Sequence, residues 1–285
     1  MTTVYLNGSY LPIEEARISP MDRGFLFGDG IYEVIPCHGG RGVGLGLHLA
    51  RLRAGLDAID LAYPVDDDEW GEIVDRLVQA DGGEHLGIYI QISRGADQRR
   101  AHAMPRGIEA TRFAYAFDIP APQQPDKASA TRFSVATSRD RRWQRCHIKS
   151  TSLLGNVMHY EEGRRDGAQE VLLFNAEDQL TEAAACNVFV VSGGEIATPE
   201  LDHQKLPGIT RHMLLDMLRR HSARKVTERP IHRSEVEAAD ELWLTSSSKE
   251  VAPIVSLDGR PVGDGEVGDV WLEAQTLFDR HRFDY

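Results

Sequence analysis

A chain of 285 residues has the length for one large domain or two ordinary ones, each with a sizeable core. Hydrophobic residues at 41% and charged residues at 27% are the proportions of a globular protein. The formal net charge of −12 argues against nucleic acid or an anionic membrane as the main partner. No apolar run is long enough to cross a bilayer, and Met1 to Gly8 lacks the charged and apolar regions of a signal peptide. Cys37, Cys146 and Cys186 are odd in number and widely spaced, so neither a disulfide framework nor a zinc pattern is expected. A reducing, cytoplasmic setting follows as an expectation.

In chain order, Val4 to Pro12 predicts two short strands around an Asn7-Gly8 turn. The glycines of Arg23 to Gly30 mark tight backbone, although the Gly-Lys-Ser/Thr ending of a phosphate loop is missing. Ile31 to Ile35 alternates as a half-buried strand, with Ile31, Glu33 and Ile35 on one face and Tyr32 and Val34 on the other. Leu47 to Leu61 has apolar residues at helical spacing, and Arg51 falls among them. A lone arginine there needs an anionic partner, or else it is an ordinary flank residue; pattern alone does not decide. Asp68 to Ala80 predicts a second helix, and Gly87 to Gly95 a strand running into a glycine. In the following Arg99 to Pro105, Arg100 and His102 lie two apart, so in extended chain they point the same way. Such a pair can clamp a carboxylate, or it is a solvated basic loop.

The prolines of Ile119 to Pro125 mark the best linker, dividing the chain into a domain over 1–119, a linker over 120–126 and a domain over 127–285. Beyond it, Thr131 to Thr137 predicts a strand leading to Arg145 to Gly155. Lys149 sits in that stretch beside Ile148, Leu153 and Leu154. Partial desolvation would lower its pKa, as a Schiff-base lysine requires; a snorkelling lysine at a strand end is the plainer alternative. A helix is predicted over Val157 to Asp166 with Gly167 as its stop, then a strand over Gln169 to Phe174. Glu182 stands against the very apolar strand that ends at Val191, an expensive place unless a cation meets it. Gly208-Ile209-Thr210 precedes a helix over His212 to Arg220, which makes either a plain cap or an anion site suited to phosphate. Glu241 to Ser248 ends in four hydroxyl residues, and Pro253 to Val262 reads as a hairpin around Asp258-Gly259. The C-terminus predicts a helix.

Jointly these motifs are the parts of a pyridoxal phosphate site: a desolvated lysine, an anion cradle, an acid for the ring nitrogen and a carboxylate clamp. Glu182-x-Ala184-x-x-Asn187-Val188-Phe189, Ile196-x-Thr198 and Leu206-x-Gly208-Ile209-x-Arg211 resemble the signature of the class IV aminotransferases. Phe27 to Glu33, Arg145 to Gly155 and Thr245 to Glu250 also look like this family, so the resemblance covers nearly the whole chain. It implies an α+β fold type IV enzyme: a smaller α/β N-terminal domain, a larger barrel-like C-terminal domain, cofactor in the interdomain cleft, and a homodimer. Carried over residue by residue, Lys149 would bond the cofactor aldehyde and Glu182 would pair with the pyridine nitrogen. Arg51, Ile209, Thr210 and Ser247 would hold the phosphate, with Leu206 beside them. Tyr32, Arg100 and His102 would trap the substrate carboxylate.

The Arg100-x-His102 pair and Trp143 to Ser150 are similar to those of the members that act on D-amino acids. The resemblance therefore implies ping-pong transfer from a D-amino acid such as D-alanine to 2-oxoglutarate. A branched-chain L-amino acid activity, or a lyase on the same fold, is the alternative. Two departures stand out. Ala183, Ala184, Ala185 and Cys186 lie where that relative has a glycine and serines, and Pro36 lies where it has a polar residue.

Overall fold

The computed structural model describes residues 2–285, and the chain separates into two compact units. The first comprises residues up to Ala121, Ile148–Leu153 and Tyr285; the second comprises Pro122–His147 and Leu154–Asp284. The sequence reading grouped 127–285 together, yet the short Lys149 segment belongs with the N-terminal unit. Its backbone explains why: Tyr32 N donates to the Lys149 carbonyl at 3.0 Å, and Thr151 N to the Gly30 carbonyl at 3.0 Å. Local hydrogen bonding along an existing strand outweighs position in the chain.

In the first unit the elements are β1 (Thr3–Leu6), β2 (Ser9–Pro12), α1 (Arg23–Phe27), β3 (Gly30–His38), β4 (Arg41–Gly42), α2 (Leu45–Ala58), α3 (Asp67–Asp81), β5 (His85–Ser93) and β6 (Thr111–Asp118). The strands form one antiparallel sheet in the order β2-β1-β6-β5-β3-β4. Asn7 and Gly8 both take positive φ, 50° and 93°, which matches the right-handed twist of a two-residue hairpin. The side chain of Asp66 accepts from Glu69 N and caps α3, whose first turn holds Asp67, Asp68 and Glu69 at the positive end of the dipole. Trp70, Ile73, Val74 and Leu77 of α3 join Leu49, Leu52 and Leu56 of α2 and Ile31 and Ile35 of β3 in one core. The other face of the sheet carries Tyr32, Tyr89, Tyr115 and Phe117, ring against ring. Sequence reasoning missed two helices, each five residues long: α1, in the glycine-rich run after Asp22, and Arg233–Glu237 of the second unit.

The second unit contains β7 (Phe133–Arg139), α4 (Leu154–Arg165), β8 (Glu170–Phe174), β9 (Leu180–Ala183), β10 (Asn187–Ser192), β11 (Glu195–Thr198), α5 (Ile209–His221), β12 (Val226–Glu228), α6 (Arg233–Glu237), β13 (Glu241–Ser246), β14 (Glu250–Leu257), β15 (Arg260–Pro261) and α7 (Asp269–His281). Its sheet runs β12-β11-β10-β13-β14-β7-β8-β9, with β15 added on β14, and it mixes parallel and antiparallel pairs. The hydrogen-bonded path has β12 and β9 as its ends, and Ala183 N of β9 donates to the Cys186 carbonyl, just before β10, at 2.8 Å. Strands β8 to β10 are buried along almost their whole length, the signature of strands covered on both faces. No helix among the described residues is long and apolar enough to cross a membrane.

Candidate active site

In the first unit, β3 brings three groups together. Glu33 points to the α2 side of the sheet and is fully buried, because its neighbours in period two, Ile31 and Ile35, face the same core. A carboxylate there requires compensation, and α2 supplies it. Arg51 grips Glu33 with Nε and Nη2, each at 2.7 Å, and His48 Nδ1 lies 2.7 Å from the second oxygen. Burial would raise the Glu33 carboxyl, but Arg51 and His48 hold it well below the usual glutamate range. Burial likewise lowers His48, with Glu33 pulling the other way. The anionic partner that the position of Arg51 demanded is thus a carboxylate of the protein itself.

On the opposite face of β3, Tyr32 stacks on Tyr89, and the Lys149 ammonium lies 4.2 Å from the centre of the Tyr32 ring. Lys149 is half-buried between Ile148 and Ser150, both buried. Arg100 and His102 lie in a stretch without helix or strand, and both are exposed. They share one platform: the Arg100 guanidinium is 5.0 Å and the His102 ring 5.6 Å from the ring of Phe27.

In the second unit Glu182 occupies β9, all four residues of which are buried. Its cation is Arg142, whose Nη1 donates to Oε1 at 2.5 Å. The other oxygen accepts from Leu206 N at 2.9 Å and from Asn187 Nδ2 at 3.2 Å. Burial raises the Glu182 carboxyl above the ordinary range, against the pull of Arg142 and the Leu206 amide. Arg142 is itself forked onto Asp140, with Nε at 3.0 Å and Nη2 at 2.8 Å. Asp140 also accepts from Thr181 Oγ1 at 2.9 Å, so neighbouring β9 residues anchor the whole chain of charges.

Helix α5 begins at Ile209 with Gly208 as its N-cap and no side-chain capping bond. Its first amides remain available at the positive end of the dipole, the arrangement that binds phosphate. A side chain at position 208 would run into Asn187, so the close approach requires glycine. Thr210 is buried in the first turn. Asn187 pairs in register with Thr245 of β13, and the buried Oγ1 of Thr245 has no partner in the protein. An orphaned hydroxyl and an uncapped helix start fit an anionic group, because an unpaired buried hydroxyl is costly. Ser247 follows in the turn after β13.

At the Ala183 to Cys186 departure, the Cys186 thiol donates to Glu170 Oε2 at 3.5 Å, and burial with that carboxylate pushes its pKa up to about 12. Asn156 Nδ2 bonds the Ala184 carbonyl at 2.8 Å, so the backbone of this run is held without hydroxyls. Among the described residues no cluster of three or more metal-ligating side chains occurs.

Sequence reasoning did not find Glu33, His48, Asp140, Arg142 or Asn187 as site residues. The signal for Glu33 was present as a carboxylate on an apolar strand face, matching an arginine on an apolar helix face. Arg142 carried no such signal, being one of several arginines in a polar run.

A family model described as amino-transferase class IV matches residues 30–257. A D-alanine aminotransferase of Listeria monocytogenes is 31% identical over 277 residues, covering 96% of this chain and 94% of that one. A D-alanine aminotransferase of Staphylococcus haemolyticus is 34% identical over 284 residues, covering 99% and 98%. Among solved structures, the branched-chain amino acid aminotransferase of Escherichia coli superposes with a TM-score of 0.89 at 23% identity, covering 98% of this chain and 93% of that one.

Proposed function

Because the chain belongs to the class IV aminotransferases, pyridoxal phosphate-dependent enzymes of fold type IV, we propose that it transfers the amino group of a D-amino acid such as D-alanine to 2-oxoglutarate. The observation that carries the D-specific reading is Arg100 and His102 side by side on Phe27. A guanidinium and an imidazole offered together suit a carboxylate. The D-alanine aminotransferase names of the curated relatives point the same way. The family resemblance further supports a cytoplasmic homodimer, which sedimentation would measure.

Pyridoxal 5'-phosphate, when bound, supplies an aldehyde for covalent capture of amines and a ring that accepts the electrons released at the substrate Cα. This chain's residues do the rest. Lys149 would be the covalent anchor, and its Nζ, once released, takes the Cα proton as general base. Glu182, ionised beside Arg142, would accept a hydrogen bond from the ring nitrogen and keep that nitrogen protonated. The amides of Ile209 and Thr210 and the hydroxyl of Ser247 would hold the phosphate, with Leu206 fixing Glu182 from its own amide. The fork of Arg51 is committed to Glu33, so its part toward phosphate is chiefly its positive charge. Tyr32, Arg100 and His102 would orient the substrate carboxylate and so decide which hydrogen on Cα faces Lys149.

The test is a panel of initial rates for D-alanine, D-glutamate, L-leucine and L-glutamate with 2-oxoglutarate and pyruvate as acceptors. D-alanine with 2-oxoglutarate should lead. Faster turnover of L-leucine than of any D-amino acid would replace this reading with a branched-chain enzyme. Loss of substrate without stoichiometric product amino acid would point to a lyase.

A further inference from the structure

A buried ionic knot lies between α1 and the loop that bears Arg100. Asp29 accepts from two guanidinia: Arg23 Nε at 2.8 Å, and Arg94 through Nε at 2.8 Å and Nη2 at 3.0 Å. None of the three side chains is more than 12% exposed. Burial alone would raise the Asp29 carboxyl, and the two arginines bring it below its usual range instead. One carboxylate cannot neutralise two cations, so the surplus charge is directed onto carbonyl dipoles. Arg94 bonds the carbonyls of Ile59 at 2.6 Å and Asp60 at 3.0 Å, just beyond the end of α2. Arg23 bonds the carbonyls of Ala101 at 2.6 Å and Ala103 at 3.3 Å.

Those two carbonyls flank His102 and follow Arg100. Residues 97–110 form neither helix nor strand, so no ladder of backbone bonds holds this loop. The bonds from Arg23 are fixed points in it. Arg23 also lies 4.8 Å from the ring of Phe27, its neighbour one turn along α1, and that ring is the surface on which Arg100 and His102 rest. Backbone and side chains of the loop are therefore both referred to α1, and α1 is referred to the sheet through Asp29 and Arg94.

From this geometry we infer that Arg23 is a positioning residue for substrate recognition: seated on Asp29, it holds the Arg100–Ala103 loop in the conformation that presents Arg100 and His102 to the substrate carboxylate. The inference rests on reading Arg100 and His102 as the carboxylate clamp. Arg23 does not touch substrate in this scheme. It removes loop disorder before binding, so its loss acts on affinity for the carboxylate and not on proton transfer at Lys149.

The experiment is a double-mutant cycle on the cofactor-loaded enzyme, using whichever amino acid the substrate panel shows to be turned over fastest. Wild type, Arg23→Gln, Arg100→Ala and the double variant are compared for kcat, KM and the inhibition constant of propionate, a carboxylate with no amine to react. Arg23→Gln should raise KM and the propionate constant together by about tenfold, with kcat within about twofold of wild type. In the Arg100→Ala background the same change should add little, because the group it positions is gone. If Arg23→Gln fails to fold, Arg23→Lys replaces it: the single ammonium nitrogen cannot lie within bonding distance both of Asp29 and of the carbonyls that separate guanidinium nitrogens reach, so KM moves in the same direction. An equal effect of the Arg23 change in both backgrounds, or a fall in kcat at constant KM, would leave Arg23 a purely structural residue and overturn the inference. If Arg100→Ala itself leaves KM unchanged, the clamp reading fails first and the inference goes with it.

Discussion

Arg142→Gln tests the charge chain behind Glu182 directly. The Arg142 side chain is 2% exposed and compensates two carboxylates, Glu182 at 2.5 Å and Asp140 at 2.8 Å. Removing one partner of a buried ion pair costs about 3–5 kcal/mol when the remaining charge stays ionised. Glu182 has an alternative, because burial already raises its carboxyl above the usual range. Without Arg142 it takes up a proton, exchanging part of the cost for a dependence on pH. A carboxyl whose folded pKa lies above its unfolded value binds more protons in the folded state, so its stability contribution falls as pH rises through that window. The gap between wild type and variant should therefore be smaller at about pH 5.5 and approach about 3 kcal/mol or more near pH 8. Urea unfolding at both pH values reads it as a shift in midpoint at constant slope. A gap below about 1 kcal/mol at both, or the same gap at both, would show that Arg142 does not compensate Glu182.

Glu33→Gln removes the carboxylate that Arg51 and His48 share and should destabilise by about 3 kcal/mol near neutral pH. Glu33 titrates below its unfolded value, so its contribution is present above about pH 4.3 and is lost as pH falls toward the folded pKa. A gap that does not shrink in acid would refute the pairing. Lys149→Ala should abolish transamination, and borohydride reduction followed by peptide mapping should place the cofactor on Lys149; a label on another lysine would sink that assignment.

The elements themselves were largely legible. The 3.6-residue period of α2 and α3 and the Asn7-Gly8 turn are local facts that local sequence states. Helices α1 and α6 were not, because five residues are too few to display a period. The site was legible in its kinds of residue and not in its pairings. Glu33 meets Arg51 at a distance of 18 residues, Asp29 meets Arg94 at 65 and Glu182 meets Arg142 at 40. Each pairing is set by which strand lies beside which helix or loop, and no window of sequence contains both members. What the sequence does contain is the demand: a carboxylate on an apolar face and an arginine among leucines are each untenable alone. That argument correctly required a partner for Arg51 and for Glu182 without being able to name it.

The comparisons separate fold from substrate in the same way. Branched-chain enzymes at 23% identity share the architecture over nearly the full chain, whereas the D-alanine enzymes share 31–34% of the sequence. Sheets and helices common to both groups cannot by themselves choose between a D- and an L-amino acid. The choice belongs to whatever grips the carboxylate. In this chain the candidates are Tyr32, on the regular sheet, and Arg100 and His102, on a loop outside it. A loop without backbone ladders adopts one conformation only if side chains impose it. Here a buried arginine, a shared aspartate and a phenylalanine ring do so, and under the proposed clamp the support of the loop would bear on substrate preference as much as the two residues it presents.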